Sequence, residues 1–196
     1  MNLTIQKDHL ECDQYNAFLM SITAIIIQFL NGDRKAAKDL YLQTYQWLFA
    51  IAIRYVYDDA SAKDILQNTY EKIYQNLNTI ALKPESTAKV WMKKICINEA
   101  LMLIRKKKNW DKLQFNTHQE AFLPQYEFEN QMLHKLLSSL PQQQRLSFNL
   151  YAIEGYSHKE ISKLLDIKES YSRTLVARAR KQLAAQLSKE KINEAL

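Results

Sequence analysis

Glycine and proline are scarce in this chain, whose 196 residues include Gly 2 and Pro 3. Hairpin turns and phosphate-binding loops use glycine where the backbone needs a positive φ, so the scarcity argues against a strand-rich fold and against a Gly-rich nucleotide-binding loop. Cysteine is equally rare, because Cys12 and Cys96 are the only two. They lie far apart and no histidine shares a metal-ligand spacing with them, which argues against a disulfide framework and a zinc site. We therefore expect an all-α protein without metal or cofactor.

Long hydrophobic runs are also missing. The longest, residues 22–30, is shorter than the roughly 20 residues that a bilayer requires. The first residues include Lys7, Asp8, Glu11 and Asp13, where a signal peptide would need an apolar core. We expect neither export nor membrane insertion and, since intracellular thiols stay reduced, a cytoplasmic location.

The charge is moderately basic, with Lys+Arg 27 against Asp+Glu 21 and a formal net charge of +6. This balance suits a polyanionic partner, but it is also common in proteins that bind no polyanion. With 47% hydrophobic and 24% charged residues, the composition is that of an ordinary globular protein and excludes a globally disordered one.

The N-terminal part of the chain carries apolar side chains in steps of three and four residues, the period of amphipathic helices. This pattern predicts helices over 22–30 and 33–57, a third helix that begins near Ser61, and a fourth over 88–108. The Ser61 hydroxyl is expected to cap the third helix. These helices are expected to form one bundle.

A change in composition follows. Residues 113–131 contain no lysine or arginine but three acids, Glu120, Glu127 and Glu129, and Pro124 interrupts them. We interpret 113–129 as a linker. Helical periodicity returns after it and predicts a second, smaller helical domain.

The strongest local signal is a helix-turn-helix near the C-terminus. Ser157 and Glu160 have the spacing of a capping box, Asp166 lies where the chain turns, and a long basic helix is predicted over 169–187. Its inner face is predicted to hold Ser172, Val176, Ala179 and Leu183, and its outer face Ser170, Arg173, Thr174, Ala177, Arg178 and Lys181.

A helix of this kind fits the major groove of DNA. Arg173 is placed to bond to base edges, and Arg178, Arg180 and Lys181 to meet phosphates. A charge run by itself is more often a solvated surface, but here the capping box, the turn and the basic helix coincide. The combination favours DNA binding.

Three segments resemble one known family. The stretch 140–183 is "LPQQQRLSFNLYAIEGYSHKEISKLLDIKESYSRTLVARARKQL", which is similar to the promoter-binding C-terminal domain of sigma factors of the extracytoplasmic-function (ECF) type. The stretch 62–74, "AKDILQNTYEKIY", resembles that family's polymerase-binding helix. The stretch 90–108, "VWMKKICINEALMLIRKKK", resembles its minus-10 helix.

The resemblance implies domains at 15–112 and 130–188, called sigma regions 2 and 4. It implies that core RNA polymerase binds Asp64, Gln67, Asn68 and Glu71. In minus-10 recognition it implicates Asn98, a loop over about 78–87, and the cations Arg105, Lys106, Lys107 and Lys108. It assigns the outer face of the last helix to the minus-35 element. An anti-sigma factor and the absence of catalysis are further implications.

Several alternatives stay open from the residues themselves. The polar face around Asp64 is equally well explained as ordinary solvent-exposed surface. Asn98 needs a partner if it is buried, either a base or a neighbouring helix. Three residues depart from the family pattern: Met102, Lys168 and Leu175.

Two other functions compete with a sigma factor. The first is a dimeric helix-turn-helix regulator that acts without polymerase. The second is a helical interaction protein with a basic tail.

Overall fold

The computed structural model describes residues 21–80, 84–111 and 136–194, without the side chains of 85, 107–111 and 189–194. The described residues form helices and no strand, which confirms the predicted all-α class. The elements are α1 (Ile22–Leu30), α2 (Lys35–Val56), α3 (Asp59–Asn76), a 3₁₀ turn (Leu77–Thr79), α4 (Glu85–Asp111), α5 (Gln142–Phe148), a π-helical segment (Asn149–Ile153), α6 (His158–Leu165) and α7 (Glu169–Glu194).

The chain divides into two compact units. The first takes its described residues from Met1–Ile53 and Ala60–Leu103, and the second from Arg54–Asp59 and Ile104–Leu196. The predicted boundaries, which assign Arg54–Asp59 to the N-terminal domain, stay predictions. The predicted linker, 113–129, lies outside the described residues.

The first unit is held together by apolar side chains from all four of its helices. Ile25 and Ile26 of α1, Leu48 of α2, Ile73 of α3 and Ile97 of α4 are each at most 1% exposed. Full burial of one such side chain contributes about 1.5–3 kcal/mol. The period-3.6 pattern that predicted these helices therefore also identifies much of the core.

Two helices begin two or three residues before the predicted positions, and one predicted cap is wrong. α3 begins at Asp59, so Ser61 lies inside its first turn, where it is buried and does not act as the cap. α4 begins at Glu85 rather than at Ala88, since the Pro84 carbonyl accepts from the amides of Thr87 (2.9 Å) and Ala88 (3.1 Å). Proline suits this place because the first amides of a helix have no intrahelical partner.

Both glycines lie at turns that need a positive φ. Gly32 follows α1 with φ 94°, and Gly155 follows the π-helical segment with φ 79°. Any other L-residue would be strained at such angles. The few glycines of this chain therefore mark the ends of helical segments.

The core of the second unit has an aromatic centre. Tyr57 packs there with Leu136, Leu137, Leu140, Ala179 and Leu183. The guanidinium carbon of Arg145 lies 4.5 Å from the Tyr57 ring centroid. Burial raises the pKa of Tyr57 to about 12. Tyr57 also has a positive φ of 55°, a conformation that costs about 1–3 kcal/mol and persists only where packing enforces it.

Candidate nucleic-acid interface

The helix-turn-helix forms as its sequence predicts. The Ser157 hydroxyl accepts from the Glu160 amide (3.2 Å), and a Glu160 carboxylate oxygen accepts from the Ser157 amide (2.8 Å), which completes the capping box. Asp166 ends α6 in the left-handed conformation, with φ 53° and ψ 55°. Residues 166–168 then lead directly into α7. The short connection fixes the direction of α7 relative to α6.

The predicted faces of α7 are confirmed. Its predicted inner residues, Ser172, Val176, Ala179 and Leu183, are buried. Its predicted outer residues are all exposed: Ser170, Arg173, Thr174, Ala177, Arg178 and Lys181. Leu175, flagged as a departure from the family pattern, is 3% exposed. It therefore contributes to packing, and the outer face is formed without it. Ile167, in the turn before α7, is half-buried.

Arg173 has a partner on its own helix. Its Nη2 lies 2.5 Å from Oε1 of Glu169, four residues earlier. Both side chains are largely exposed. Exposed pairs of this type contribute only about 0.3–0.5 kcal/mol, so Arg173 exchanges this partner for another acceptor at little cost.

A stack of rings connects α7 to the elements before it, and this feature was missed in the sequence. The ring centroids of His158 and Tyr151 are 4.4 Å apart, and the two ring planes form an angle of 13°. The guanidinium carbon of Arg180 lies 5.3 Å from the Tyr151 ring centroid. His158 Nδ1 is 3.1 Å from the buried Ser172 hydroxyl. Partial burial, with the cations Arg173 and Arg180, lowers the His158 pKa. The residues of these contacts lie at irregular distances from one another in the sequence, so the helical period does not predict that they meet.

α4 carries the second candidate DNA surface. Its buried face includes Met92, Ile97 and Leu101, and the thiol of Cys96 donates to the Leu48 carbonyl of α2 at 3.6 Å. Asn98 is exposed on the opposite side. Its amide is therefore open to solvent, and the alternative in which a buried Asn98 bonds to a neighbouring helix does not hold for the described residues.

Exposed apolar residues lie on either side of Asn98. Val90 is 46% exposed and Met102 is 40% exposed. Trp91, next to Val90 in the sequence, is half-buried.

The described acid of α4 is neutralised inside the protein. Glu99 is 3% exposed and forms an ion pair with Lys72 of α3. Arg105 and Lys106 are exposed near the end of α4, whereas the side chains of Lys107 and Lys108 lie outside the described part. Among the described side chains, the exposed face of α4 therefore has cations and no acid.

The predicted polymerase-binding residues share one face of α3. Asp64, Gln67, Asn68 and Glu71 are exposed, while Ile65, Thr69 and Ile73 on the other side are buried. Gln75 extends this face and donates to Glu71 at 3.2 Å. The geometry brings the four predicted residues together on an unobstructed surface of the first unit.

An aromatic row holds α3 in place. Tyr70, 5% exposed, shares a 2.8 Å hydrogen bond with Thr44 of α2, and Tyr74 donates to the Ala37 carbonyl at 2.9 Å. Burial raises the pKa of Tyr70. Tyr70 therefore fixes the helix from behind, and the polar residues on the other side form its accessible surface.

The described residues show neither a metal-ligand cluster nor a membrane-spanning helix. No group of three or more potential metal ligands comes together in this part of the chain. None of its helices is both long enough and apolar enough to cross a membrane.

The helix-turn-helix and the cationic faces of α4 and α7 define an all-α DNA-binding protein. Comparisons with known proteins make this specific. The model "Sigma-70 region 2" matches residues 40–109, and "Sigma-70, region 4" matches residues 130–183. The chain belongs to the sigma-70 family, in the ECF group of RNA polymerase sigma factors.

Curated relatives agree with this assignment. The ECF sigma factor SigM of Bacillus subtilis is 28% identical over 134 residues, which cover 65% of this chain and 80% of SigM. SigV of the same organism is 27% identical over 151 residues, covering 76% of this chain and 89% of SigV. The sigma-H factor of Pseudomonas aeruginosa is 24% identical over 165 residues, which cover 76% of this chain and 84% of that factor.

The fold is shared with solved structures. One of them contains the sigma factor RpoE of Bartonella quintana in complex with the anti-sigma factor NepR. The TM-score is 0.54 at 23% identity, over 77% of this chain and 96% of that chain.

The predicted family and function are thereby confirmed: the protein binds core RNA polymerase and directs transcription initiation at promoter DNA. Nothing in these matches favours a dimeric regulator.

Proposed function

We propose that three surfaces divide the work of initiation, and that the first is the polar face of α3. Asp64, Gln67, Asn68 and Glu71 bind core polymerase. The proposal is supported by their shared exposure and by the aromatic row that holds α3 rigid, since a preformed surface loses less conformational entropy on binding. By the resemblance, the partner is the clamp coiled coil of polymerase, with Asp64 and Gln67 at the centre.

The second surface is the exposed face of α4, which takes the opened minus-10 element. Asn98 hydrogen-bonds to an unpaired base, and Arg105, Lys106, Lys107 and Lys108 neutralise phosphates. An exposed amide has both a donor and an acceptor for a base edge. The loop over about 78–87 borders the same site by resemblance. The absence of an exposed acid among the described side chains of α4 supports the proposal, since phosphates would be repelled by one.

The third surface is the outer face of α7, which contacts the minus-35 element in the major groove. Arg173 bonds to base edges after it releases Glu169, and Arg178 and Lys181 contact phosphates. Ser170, Thr174 and Ala177 are small, so the helix backbone can approach the bases closely.

Three further parts of the proposal concern the setting. The protein acts in the cytoplasm, where core polymerase works, and it has no catalytic activity of its own. An anti-sigma factor controls it, as the family resemblance implies. The Bartonella quintana relative in fold was solved with such a partner, NepR.

The observation that carries the proposal is that α4 exposes Asn98 among cations while its buried acid is paired with Lys72. The decisive experiment is in-vitro transcription with sigma-free core polymerase and a random promoter library. Transcripts should arise only with this protein present, from promoters that share two separated elements. A symmetric operator bound without polymerase would instead identify a dimeric regulator.

A further inference from the structure

The exposed face of α4 has a ridge that the proposed minus-10 site only partly uses. Val90, Lys94, Asn98, Met102 and Lys106 follow one another in steps of four, and all five are exposed. Residues four apart are neighbours on a helix, with about 5–6 Å between their Cβ atoms. Asn98 therefore has Met102 directly beside it on the ridge.

Helix geometry brings Met102 close to Asn98. Side chains of a helix lean toward its N-terminus, so the surface that a residue covers lies over the turn before its own Cα. For Met102, that turn is the one that carries Asn98. Ile97 and Leu101 cannot compete for the same surface because they are buried on the other side. A group held by Asn98 therefore lies within reach of the Met102 thioether.

The surroundings favour nucleic acid over a protein as the occupant. Lys94 and Lys106 flank Asn98 and Met102 on the ridge, and the described side chains of α4 expose no acid. The apolar area is small and broken by Lys94 and Asn98, which is unlike the continuous apolar stripe that a docked protein helix needs. A cationic ridge with single apolar groups fits the alternating phosphates and bases of an opened strand.

We propose that Met102 is a specificity-determining residue that packs against the C5 methyl group of a thymine next to the base held by Asn98. The proposal rests on the minus-10 site described above. Thymine is the base that offers a methyl group to apolar side chains, and methionine adapts its flexible thioether to such a contact. Through this contact Met102 selects a base.

Deoxyuridine provides the test, because it differs from thymidine only by the missing methyl group. Holoenzyme made from the full chain and core polymerase initiates on a promoter selected from the library. Each thymine of the opened minus-10 strand is replaced in turn. We expect one position at which the wild type loses about fourfold in open-complex formation, the effect of one lost methyl contact.

Variants at position 102 show whether its side chain and the thymine methyl group act through the same contact. Met102→Ala should lose about fourfold on the thymine promoter and should show no further loss when that thymine becomes deoxyuridine. Met102→Leu, which keeps an apolar side chain, should retain sensitivity to the methyl group. Leu42→Ala is the control, since Leu42 is 45% exposed on α2, away from the ridge. It should retain the full sensitivity of the wild type.

Three results would overturn the assignment: a selected promoter without a thymine preference, a wild type that tolerates deoxyuridine everywhere, and a Met102→Ala variant as sensitive as the wild type. If the last of these results came together with the loss of a protein partner, Met102 would contact protein rather than DNA. Asn98→Ala separates this failure from failure of the minus-10 site. If Asn98→Ala impairs opening but the methyl coupling is absent, only the role of Met102 is wrong.

Discussion

The exposed faces of α4 and α7 share a cationic character but differ in the size of their other side chains. The residues of α7 proposed to face DNA are arginine and lysine with the small Ser170, Thr174 and Ala177, and Tyr171 is exposed beside them at 40%. The face of α4 has lysine and arginine with Val90, Asn98 and Met102. Small residues let a helix enter the major groove of intact duplex, which is about 12 Å wide. Larger apolar groups and an amide suit bases that have left the stack. Under the proposed roles, charge attracts DNA to both faces, while side-chain size distinguishes closed from opened DNA.

The two helices are also supported differently. α4 is packed into an apolar core and linked to α3 by the Glu99–Lys72 ion pair. α7 also buries apolar side chains in the core of its own unit, and it adds polar contacts, among them His158 to Ser172 and a hydrogen bond of 2.8 Å from Gln186 to Ser139. We therefore expect perturbations of charge and pH to affect the two faces unequally.

The largest effect should come from removing the α3 surface that is proposed to bind core polymerase, because neither DNA-binding face can act at a promoter without polymerase. In the variant Asp64→Ala with Gln67→Ala, affinity for core polymerase should fall at least about a hundredfold, since a few central residues carry most of an interface's energy. Transcription should fall equally at all promoters. Analytical co-elution with core measures the first effect, and multi-promoter transcription the second. Gln46→Ala, an exposed change on α2, is the control and should leave both intact. A loss limited to some promoters would contradict the docking role.

The next effect concerns the stability of the first unit, measured as its free energy of unfolding. Lys72→Met leaves the carboxylate of Glu99 buried without its cation, which should lower the free energy of unfolding by about 2–3 kcal/mol. Denaturant unfolding should show the loss, and the double change Lys72→Met with Glu99→Leu should recover part of it. Lys38→Met removes an exposed lysine of α2 and should change the free energy by less than about 0.5 kcal/mol. Equal effects of Lys72→Met and Lys38→Met would show that the buried pair does not stabilise α4.

A salt titration sharpens the division between phosphate and base contacts. Changing both Lys106 and Lys107 to alanine should weaken promoter binding evenly across sequences and reduce the slope of log affinity against log salt by about 1–2. Arg173→Ala should instead shift the base preference at the minus-35 element. Unchanged slopes in both variants would refute this division of labour.

The smallest effect concerns pH and should affect the second unit. The folded protein holds the His158 pKa below its ordinary value of 6.5. The unfolded state therefore binds more protons below that value, and stability falls as the pH is lowered through this window. We expect His158→Gln to weaken this acid dependence between about pH 7 and 5. Thermal unfolding at several pH values measures it, and parallel curves for variant and wild type would be inconsistent with a role for the histidine.

The sequence predicts local features of this fold much better than distant contacts. Ser157, Glu160 and Asp166 act within one turn of the chain, so their types and spacing sufficed to predict the capping box and the left-handed turn. The inner residues of α7 follow a regular period. The Glu99–Lys72 pair and the stack of His158 on Tyr151 depend on how separate elements meet, which no periodicity encodes.

The errors have similar causes. Ser61 has the chemistry of a cap, but α3 starts earlier and buries it. Asn98 was expected to need a partner because its helix is rich in apolar residues, and only packing shows that it faces solvent. Met102 could be identified as unusual from the family pattern, but its exposure beside Asn98 required the structure.

The most direct test of the two-face account uses holoenzyme and two DNA probes, a duplex with only the minus-35 element and a single strand with only the minus-10 element. We expect Arg173→Ala to weaken binding to the duplex by about 1–3 kcal/mol and to leave binding to the single strand unchanged. Asn98→Ala should have the opposite pattern. If either variant weakens binding to both probes equally, the proposed separation between a duplex-binding face on α7 and an opened-strand face on α4 is wrong.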